Sequence, residues 1–289
     1  MCLYFEEATV TGTGARMLAA ALIMACVALV GPSAPNADLI ARPLPADAPE
    51  AVVPNRVMTW NICNPCNKSG QNVGRAAEIA TYAPQIIGLQ EACVRDVEMI
   101  RDHLEHLYGL VYHVEYGSVL RNRSRCGGWP WSPGAFGQAI LSAAPMTHRV
   151  NVEYPDGGSE DRGYMAVTTT VGGQPVRVFN THLAQRSQEA VRSKQTRVLA
   201  AAVARHDRAI VLGDFNAVPE APELSRIWAL ATDADPGCRP LTGGTCKPTT
   251  DWFSKFDYIF LRGITPREHD VHLTPYSDHD LHRADLNPA

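Results

Sequence analysis

Eight polar residues of this chain stand at or just beyond the ends of short apolar runs: Asn61, Glu91, His182, Asp214, Asn216, Asp257, Asp278 and His279. Singly, each has an ordinary use. Asn61 and Asn216 suit turns, Asp214 suits a helix cap, and His182 suits a hydrogen-bonded core position. Together they bring several carboxylates to the ends of buried strands, an arrangement that is costly unless a cation is present. Oxygen-rich ligands without a Cys/His cage fit Mg2+, with Mn2+ or Ca2+ as alternatives, better than zinc. The two histidines add what a hard cation lacks, a proton carrier or a donor to a phosphoryl oxygen near neutral pH. The set implies metal-assisted phosphoester hydrolysis.

The elements that must position these residues follow from apolar patterning. Val57–Ile62 reads as a strand ended by the turn at Asn64-Pro65. A helix over 73–83 leads to a buried strand, Gln85–Glu91, with the carboxylate at its end. A helix over 95–107 and a strand over 110–116 follow. Residues 137–142, 147–153, 163–171 and 175–182 alternate or run apolar like adjacent strands, the last two joined by a hairpin at Gly172-Gly173. An Ala/Val/Leu stripe predicts a helix over 187–205, followed by strands at 209–213, 256–261 and 281–286. Helices separated by single strands and by hairpins imply an α/β protein with mixed sheets.

The chain has 289 residues, of which 45% are hydrophobic, and this excludes a disordered or multi-spanning protein. A net charge of −4 excludes a protein that coats nucleic acid by bulk positive charge, while leaving room for a local basic groove. Arg16 precedes an unbroken apolar run from Met17 to Val30, long enough for a secretory signal and too short to span a bilayer. Residues 1–37 are therefore expected to be a signal peptide, 38–54 a Pro/Ala-rich linker or arm, and 55–289 one catalytic domain. A lipoprotein signal ending at Cys26 is the alternative. Outside that leader lie Cys63, Cys66, Cys93, Cys126, Cys238 and Cys246, an even set that reads as three disulfides in an exported chain. Cys238 and Cys246 flank a Gly/Pro/Thr loop and are expected to close it.

Six strings occur in order: Thr59-Trp-Asn61, Gly88-Leu-Gln-Glu91, Asn180-Thr-His-Leu183, Gly213-Asp-Phe-Asn216, Asp257-Tyr-Ile-Phe260 and Ser277-Asp-His279. They closely resemble the endonuclease/exonuclease/phosphatase superfamily, whose best-known member is deoxyribonuclease I, over about Val57 to Leu286. The resemblance implies a deoxyribonuclease I-like four-layer sandwich, two packed mixed β-sheets flanked by helices, with the active site at one end. It implies Glu91 as the main metal ligand with Asn61 beside it, and Asp278 as the second acidic ligand. Asp214 and Asn216 would position the attacking water and the scissile phosphate. His279 would be the catalytic imidazole oriented by Asp257, and His182 would donate to a non-bridging phosphate oxygen. Arg162 matches a phosphate-contacting arginine of many members. If Asn61 and Glu91 meet at one metal from neighbouring strands, the cysteines two residues beyond them leave side by side. Cys63–Cys93, Cys66–Cys126 and Cys238–Cys246 are then the expected pairs.

Substrate choice lies in loops. Arg121-Asn-Arg-Ser-Arg-Cys-Gly-Gly-Trp-Pro-Trp-Ser-Pro133 would grip a polyanion backbone and stack bases, or dock on a lipid surface, or serve as a disulfide-pinned cover for the core. The expected protein is a secreted endonuclease acting on DNA or RNA, a monomer with no obligate protein partner. The alternative is a sphingomyelinase-like phospholipid phosphodiesterase or phosphatase. An inactive binding module fits least, since no core motif is missing.

Overall fold

The computed structural model describes residues 41–64, 66, 71–120, 126, 135–240 and 245–288. In chain order the elements are β1 (Val53–Asn61), α1 (Asn72–Tyr82), β2 (Pro84–Cys93), α2 (Val94–Tyr108), β3 (His113–Leu120), β4 (Phe136–Ser142), β5 (Thr147–Glu153), β6 (Gly163–Val171) and β7 (Gln174–His182). They continue with α3 (Glu189–Val203), β8 (Ala209–Asp214), α4 (Ser225–Trp228), β9 (Thr232–Asp233), β10 (Asp257–Arg262), β11 (Pro266–His272) and β12 (Leu281–Leu286). The strands form two six-stranded sheets, ordered β11-β12-β1-β2-β4-β3 and β5-β6-β7-β8-β10-β9. Each sheet is mixed: β1 runs parallel to β2 and β7 parallel to β8, while the other pairs are antiparallel.

Strand residues alternate between two faces, and both faces of the central strands are buried. In the first sheet, Met58, Trp60, Ile87 and Leu89 point outward and pack with Ile79 of α1 and Ile100 and Leu104 of α2. In the second, Phe179, Val211 and Phe260 point outward and pack with Leu199 and Val203 of α3 and Ile227 of α4. Between the sheets lie Val57, Ile86 and Ile140 against Val178, Ile210, Leu212 and Ile259. The layers are thus helix, sheet, sheet, helix, the four-layer sandwich expected.

The face between the sheets changes character along each central strand. On β1 the inward series is Val57, Thr59, Asn61, and on β8 it is Ile210, Leu212, Asp214. On β7 it runs Val176, Val178, Asn180, His182, and β10, antiparallel to β8, begins with Asp257 before Ile259 and Leu261. The apolar ends hold the sheets together and the polar ends share one edge of the sandwich. Asn180 joins the sheets there. It accepts from Gln90 Nε2 at 2.6 Å and donates to the carbonyls of Leu89 and Ala139, each at 2.9 Å. Gly88 permits this approach, because a Cβ there would lie 2.9 Å from both Leu212 Cβ and Asn180 Oδ1.

Three elements went unread in the sequence: α4, the two-residue β9, and β11. The last is an edge strand of composition PREHDVH, with no fully buried residue and hence no apolar period to detect. Residues before β1 lie against the first sheet's helices, where Leu44 and Val52 pack on the core and Arg42 Nη1 donates to the Tyr276 hydroxyl. The leader (1–37) and most of the Arg/Trp segment (121–133, Cys126 excepted) lie outside the described residues.

Two of the three expected disulfides are corrected. Cys63 pairs with Cys66 (Cα–Cα 5.3 Å) and Cys93 with Cys126 (5.6 Å), while Cys238–Cys246 stands as expected. The reason is local. Cys63 takes a left-handed φ of 35° and its carbonyl accepts the Cys66 N–H at 2.9 Å, so the chain turns back on itself directly after β1. Cys93 meets instead the segment that leads into β4, where Cys126 Sγ lies 3.5 Å from Ala135 O.

Candidate active site

The polar edge gathers side chains from both sheets around Asp214. Its Oδ2 accepts from Asn61 Nδ2 at 3.1 Å across the inter-sheet gap, and its Oδ1 accepts the backbone N–H of Asn216 at 2.8 Å. His182 Nε2 stands 3.3 Å and His279 Nε2 3.8 Å from the same Oδ2. Asn216 adopts a left-handed φ of 49°, which turns the chain after β8 and brings its amide to His182 and to Leu183 O, each at 3.1 Å. Gly213 is required beside it, since a Cβ would sit 2.2 Å from Thr181 O on β7. Parallel pairing of β7 with β8 sets His182 opposite Asp214, and antiparallel pairing sets Asp257 opposite Asp214.

His279 comes from the loop before β12. Its Nδ1 hydrogen bonds Asp257 Oδ2 at 2.8 Å, leaving Nε2 toward Asp214. Two residues that the sequence reading left without a role hold this loop in place. Trp60 Nε1 donates to His279 O at 3.0 Å, and Ser277 Oγ donates to Asn61 O at 2.6 Å while accepting the His279 N–H at 3.1 Å. Both lie inside motif strings, which was the available signal. Thr250 forms an isolated β-bridge with His279 on the other side, and the Trp252 ring meets the imidazole edge-on at 5.5 Å.

Electrostatics at this edge are set by burial and carboxylates. Burial opposes the charged form of His279, but Asp257, Asp214 and Asp278 outweigh it and push the imidazole up to about 10. Burial likewise disfavours ionised Asp214, yet His279, His182 and the Asn216 N–H hold it well below the usual carboxylate range. Asp214 is thus a fixed carboxylate and His279 a proton holder with one nitrogen turned to the site.

Glu91 lies on the rim, half-buried, with a left-handed φ of 50° at a break in the β2–β4 register. Regular alternation after the inward Gln90 would send it to the helix side. The break lets it reach the site, with Oε1 3.9 Å from His182 Nε2. Asp278 adjoins His279, its carboxylate 3.5 Å from Ser277 Oγ and close to the Cys63 and Cys66 sulfurs. Those sulfurs are bonded to each other and are not ligands. Among the described residues no Lys or Arg pairs with Glu91, Asp214, Asp257 or Asp278; ring nitrogens of His182 and His279 stand within 4 Å of the first three. A carboxylate set without Lys or Arg partners, with Asn61 adding a neutral oxygen, fits a hard divalent cation.

Arg162, expected to contact phosphate, lies against His182 at the end of β7. It is only 3% exposed, and its guanidinium binds Glu160 Oε2 and His182 Nδ1, each at 2.7 Å. The remaining candidates, Asn61, His182, Asp214, Asn216, Asp257 and His279, are linked through the contacts above, with Glu91 and Asp278 beside them.

The family model described as "Endonuclease/Exonuclease/phosphatase family" matches residues 58–279. No curated protein matches the chain significantly. Solved structures share the fold. An endonuclease/exonuclease/phosphatase from Beutenbergia cavernae is 22% identical with a TM-score of 0.63, over 81% of this chain and 71% of that one. The human nocturnin catalytic domain with bound sulfate is 20% identical with a TM-score of 0.64, over 82% and 94% respectively. D. rerio TDP2 complexed with a single-strand DNA product is 19% identical with a TM-score of 0.63, over 80% and 98%.

Proposed function

Because the chain belongs to the Endonuclease/Exonuclease/phosphatase family, whose members are metal-dependent phosphoric ester hydrolases, we propose that it is a secreted, Mg2+-dependent endonuclease acting on DNA or RNA. The observation that carries the reading is the convergence of Asn61, His182, Asp214, Asn216 and His279 from two sheets, with carboxylates that no described Lys or Arg pairs with. A cation bound there would polarise the phosphoryl group and stabilise its developing charge.

Glu91, Asn61 and Asp278 are the residues that would hold the cation. Asp214 and Asn216 orient the attacking water and the phosphate. His279, aligned by Asp257, holds or moves the proton at Nε2, and His182 donates from Nε2 to a non-bridging oxygen. Water attacks phosphorus in line, without a covalent enzyme intermediate. Nucleic acid as substrate is supported by the Gly213-Asp-Phe-Asn216 string, by the arginines at 121, 123 and 125, and by the DNA product held by D. rerio TDP2. Export is supported by the apolar leader after Arg16 and by three disulfides.

A second reading, a phospholipid phosphodiesterase, is favoured by one observation. Trp252, Phe253 and Leu273 are 44%, 86% and 80% exposed, and Trp252 touches His279. Against it, β11, which precedes the His279 loop, is polar and short and offers no membrane-inserting hairpin.

Plasmid DNA, RNA and sphingomyelin vesicles assayed in parallel with Mg2+ across a salt series decide between them. Nicking of DNA or cleavage of RNA is expected, falling steeply with salt and abolished by EDTA. His279→Ala should lower turnover by roughly 10²–10⁴-fold with the fold intact. Choline-phosphate release with no nicking at low salt would reverse the order, and full activity after exhaustive EDTA treatment would refute metal dependence.

A further inference from the structure

We propose that Arg162 is a positioning residue that fixes the tautomer of His182, so that the ring's N–H sits on Nε2 and faces the site. Arg162 directly precedes β6, whose first residue, Gly163, pairs with His182 at the end of β7. The arginine is 3% exposed, and its Nη1 lies 2.7 Å from His182 Nδ1. A guanidinium offers donors and no acceptor, so His182 Nδ1 must accept and carries no hydrogen. The hydrogen is then on Nε2, which stands 3.3 Å from Asp214 Oδ2 and 3.9 Å from Glu91 Oε1. Asn216 Nδ2 also lies 3.1 Å from Nε2, and with Leu183 O at 3.1 Å and Asp214 Oδ2 at 3.4 Å it has an acceptor for each of its two hydrogens without the ring. The other tautomer would press an N–H against the guanidinium and turn a lone pair toward two carboxylates, in a buried place where such conflicts are expensive.

Glu160 completes the device. Its Oε2 binds Arg162 Nη2 at 2.7 Å, compensating the buried charge and fixing the plane of the guanidinium. Arg162 thus donates in both directions, and His182 passes a donor on to Asp214, which Asn61 reaches from the opposite sheet. A carboxylate in place of Arg162 would have reversed this ring, placing the hydrogen on Nδ1. The choice of arginine selects an Nε2 donor aimed where a phosphoryl oxygen would lie. That last role rests on the phosphodiesterase reading, whereas the tautomer does not.

The test is a long-range 1H–15N correlation spectrum of the histidine rings in the full chain, in EDTA and without substrate, with His182 assigned by its loss in His182→Gln. The expected pattern is a protonated Nε2 and an unprotonated Nδ1. Arg162→Met should reverse or average that pattern and lower kcat roughly 10–100-fold, the usual cost of losing an outer partner of an oriented histidine, with little change in KM. Arg162→Lys, which keeps a donor, should recover the Nε2–H pattern and part of kcat. A hydrogen on Nδ1 in the unaltered protein, or an unchanged pattern in Arg162→Met, would overturn the proposal. If Arg162→Met does not fold, the spectrum of the unaltered protein decides alone. Absence of phosphodiesterase activity on every substrate would sink the functional reading and leave the tautomer standing.

Discussion

Replacing Gly88 by alanine tests whether sheet spacing controls the site. The new Cβ would lie 2.9 Å from Leu212 Cβ and Asn180 Oδ1 and 3.0 Å from Leu212 Cδ1. Carbon atoms pack comfortably at about 3.5–4.0 Å, so the sheets must part locally by roughly half to one ångström. Overpacking of this kind costs about 1–3 kcal/mol. For a domain of this size each kcal/mol moves Tm by about 2–4 °C, so thermal unfolding should show a fall of roughly 2–12 °C. The same movement acts two residues further along, where Gln90 follows Gly88 and Asp214 follows Leu212. The Asn61–Asp214 hydrogen bond, 3.1 Å long, bridges the sheets at that edge and has little length to spare. A misplacement near 1 Å costs catalysis on the order of 10²-fold. Phosphodiester cleavage by folded Gly88→Ala, well below its Tm, should therefore fall by roughly 10–100-fold. An unchanged Tm would show that the sheets are not held at this separation. A lowered Tm with full activity would show that the site does not depend on it.

Two further outcomes follow from the charges. Metal-free His279, raised to about 10, contributes stability that is fully present below the unfolded imidazole value of ~6.5 and is lost as pH rises through about 10. A cation beside the carboxylates opposes their pull on the ring, so Mg2+ binding at pH 8 should release protons, seen by calorimetry in buffers of differing ionisation enthalpy; no release, or equal release from His279→Ala, would contradict this. Asp280 is raised to about 6, chiefly by burial and then by Asp251 and Asp257, and its Oδ1 has no hydrogen-bond partner. Its native value lies above the unfolded one, so the cost of ionising it in the fold grows as pH rises from about 4 to about 6 and is complete above that. In EDTA, Asp280→Asn should melt higher than the parent at pH 8 and lose that advantage near pH 4, and a gain equal at both values would refute the cause assigned.

Much of this was legible in the sequence because periodicity and motif agree. The alternation that buries Val57, Ile210 and Ile259 also dictates that Asn61, Asp214 and Asp257 share their face, so strand ends could be read as one edge. The hairpin at Gly172-Gly173 was equally plain, and both glycines take positive φ there. What stayed hidden depends on single backbone angles and on neighbours distant in sequence. The left-handed Cys63 closes the chain onto Cys66, which no spacing argument foresaw. Left-handed Glu91 breaks the very alternation on which the reading relied. Arg162 was expected to contact phosphate, and only the pairing of β6 with β7 shows that it lies against His182 and Glu160. β11 was missed because an exposed edge strand has no core to advertise.

Strand β12 lies in the interior of its sheet, between β11 and β1, rather than at an edge. It registers Ala284 opposite Val57, and the loop that leads into it carries His279. Of the described strands it is the last that the ribosome delivers. Until it arrives, β1 has one open side, the Trp60 indole lacks its acceptor at His279, and Asp257 has no imidazole to orient. The strand that seals the sheet thereby also seats the loop of the site, and a chain that already holds Asn61, Glu91, His182 and Asp214 lacks the imidazole of His279 beside them until that loop is in place.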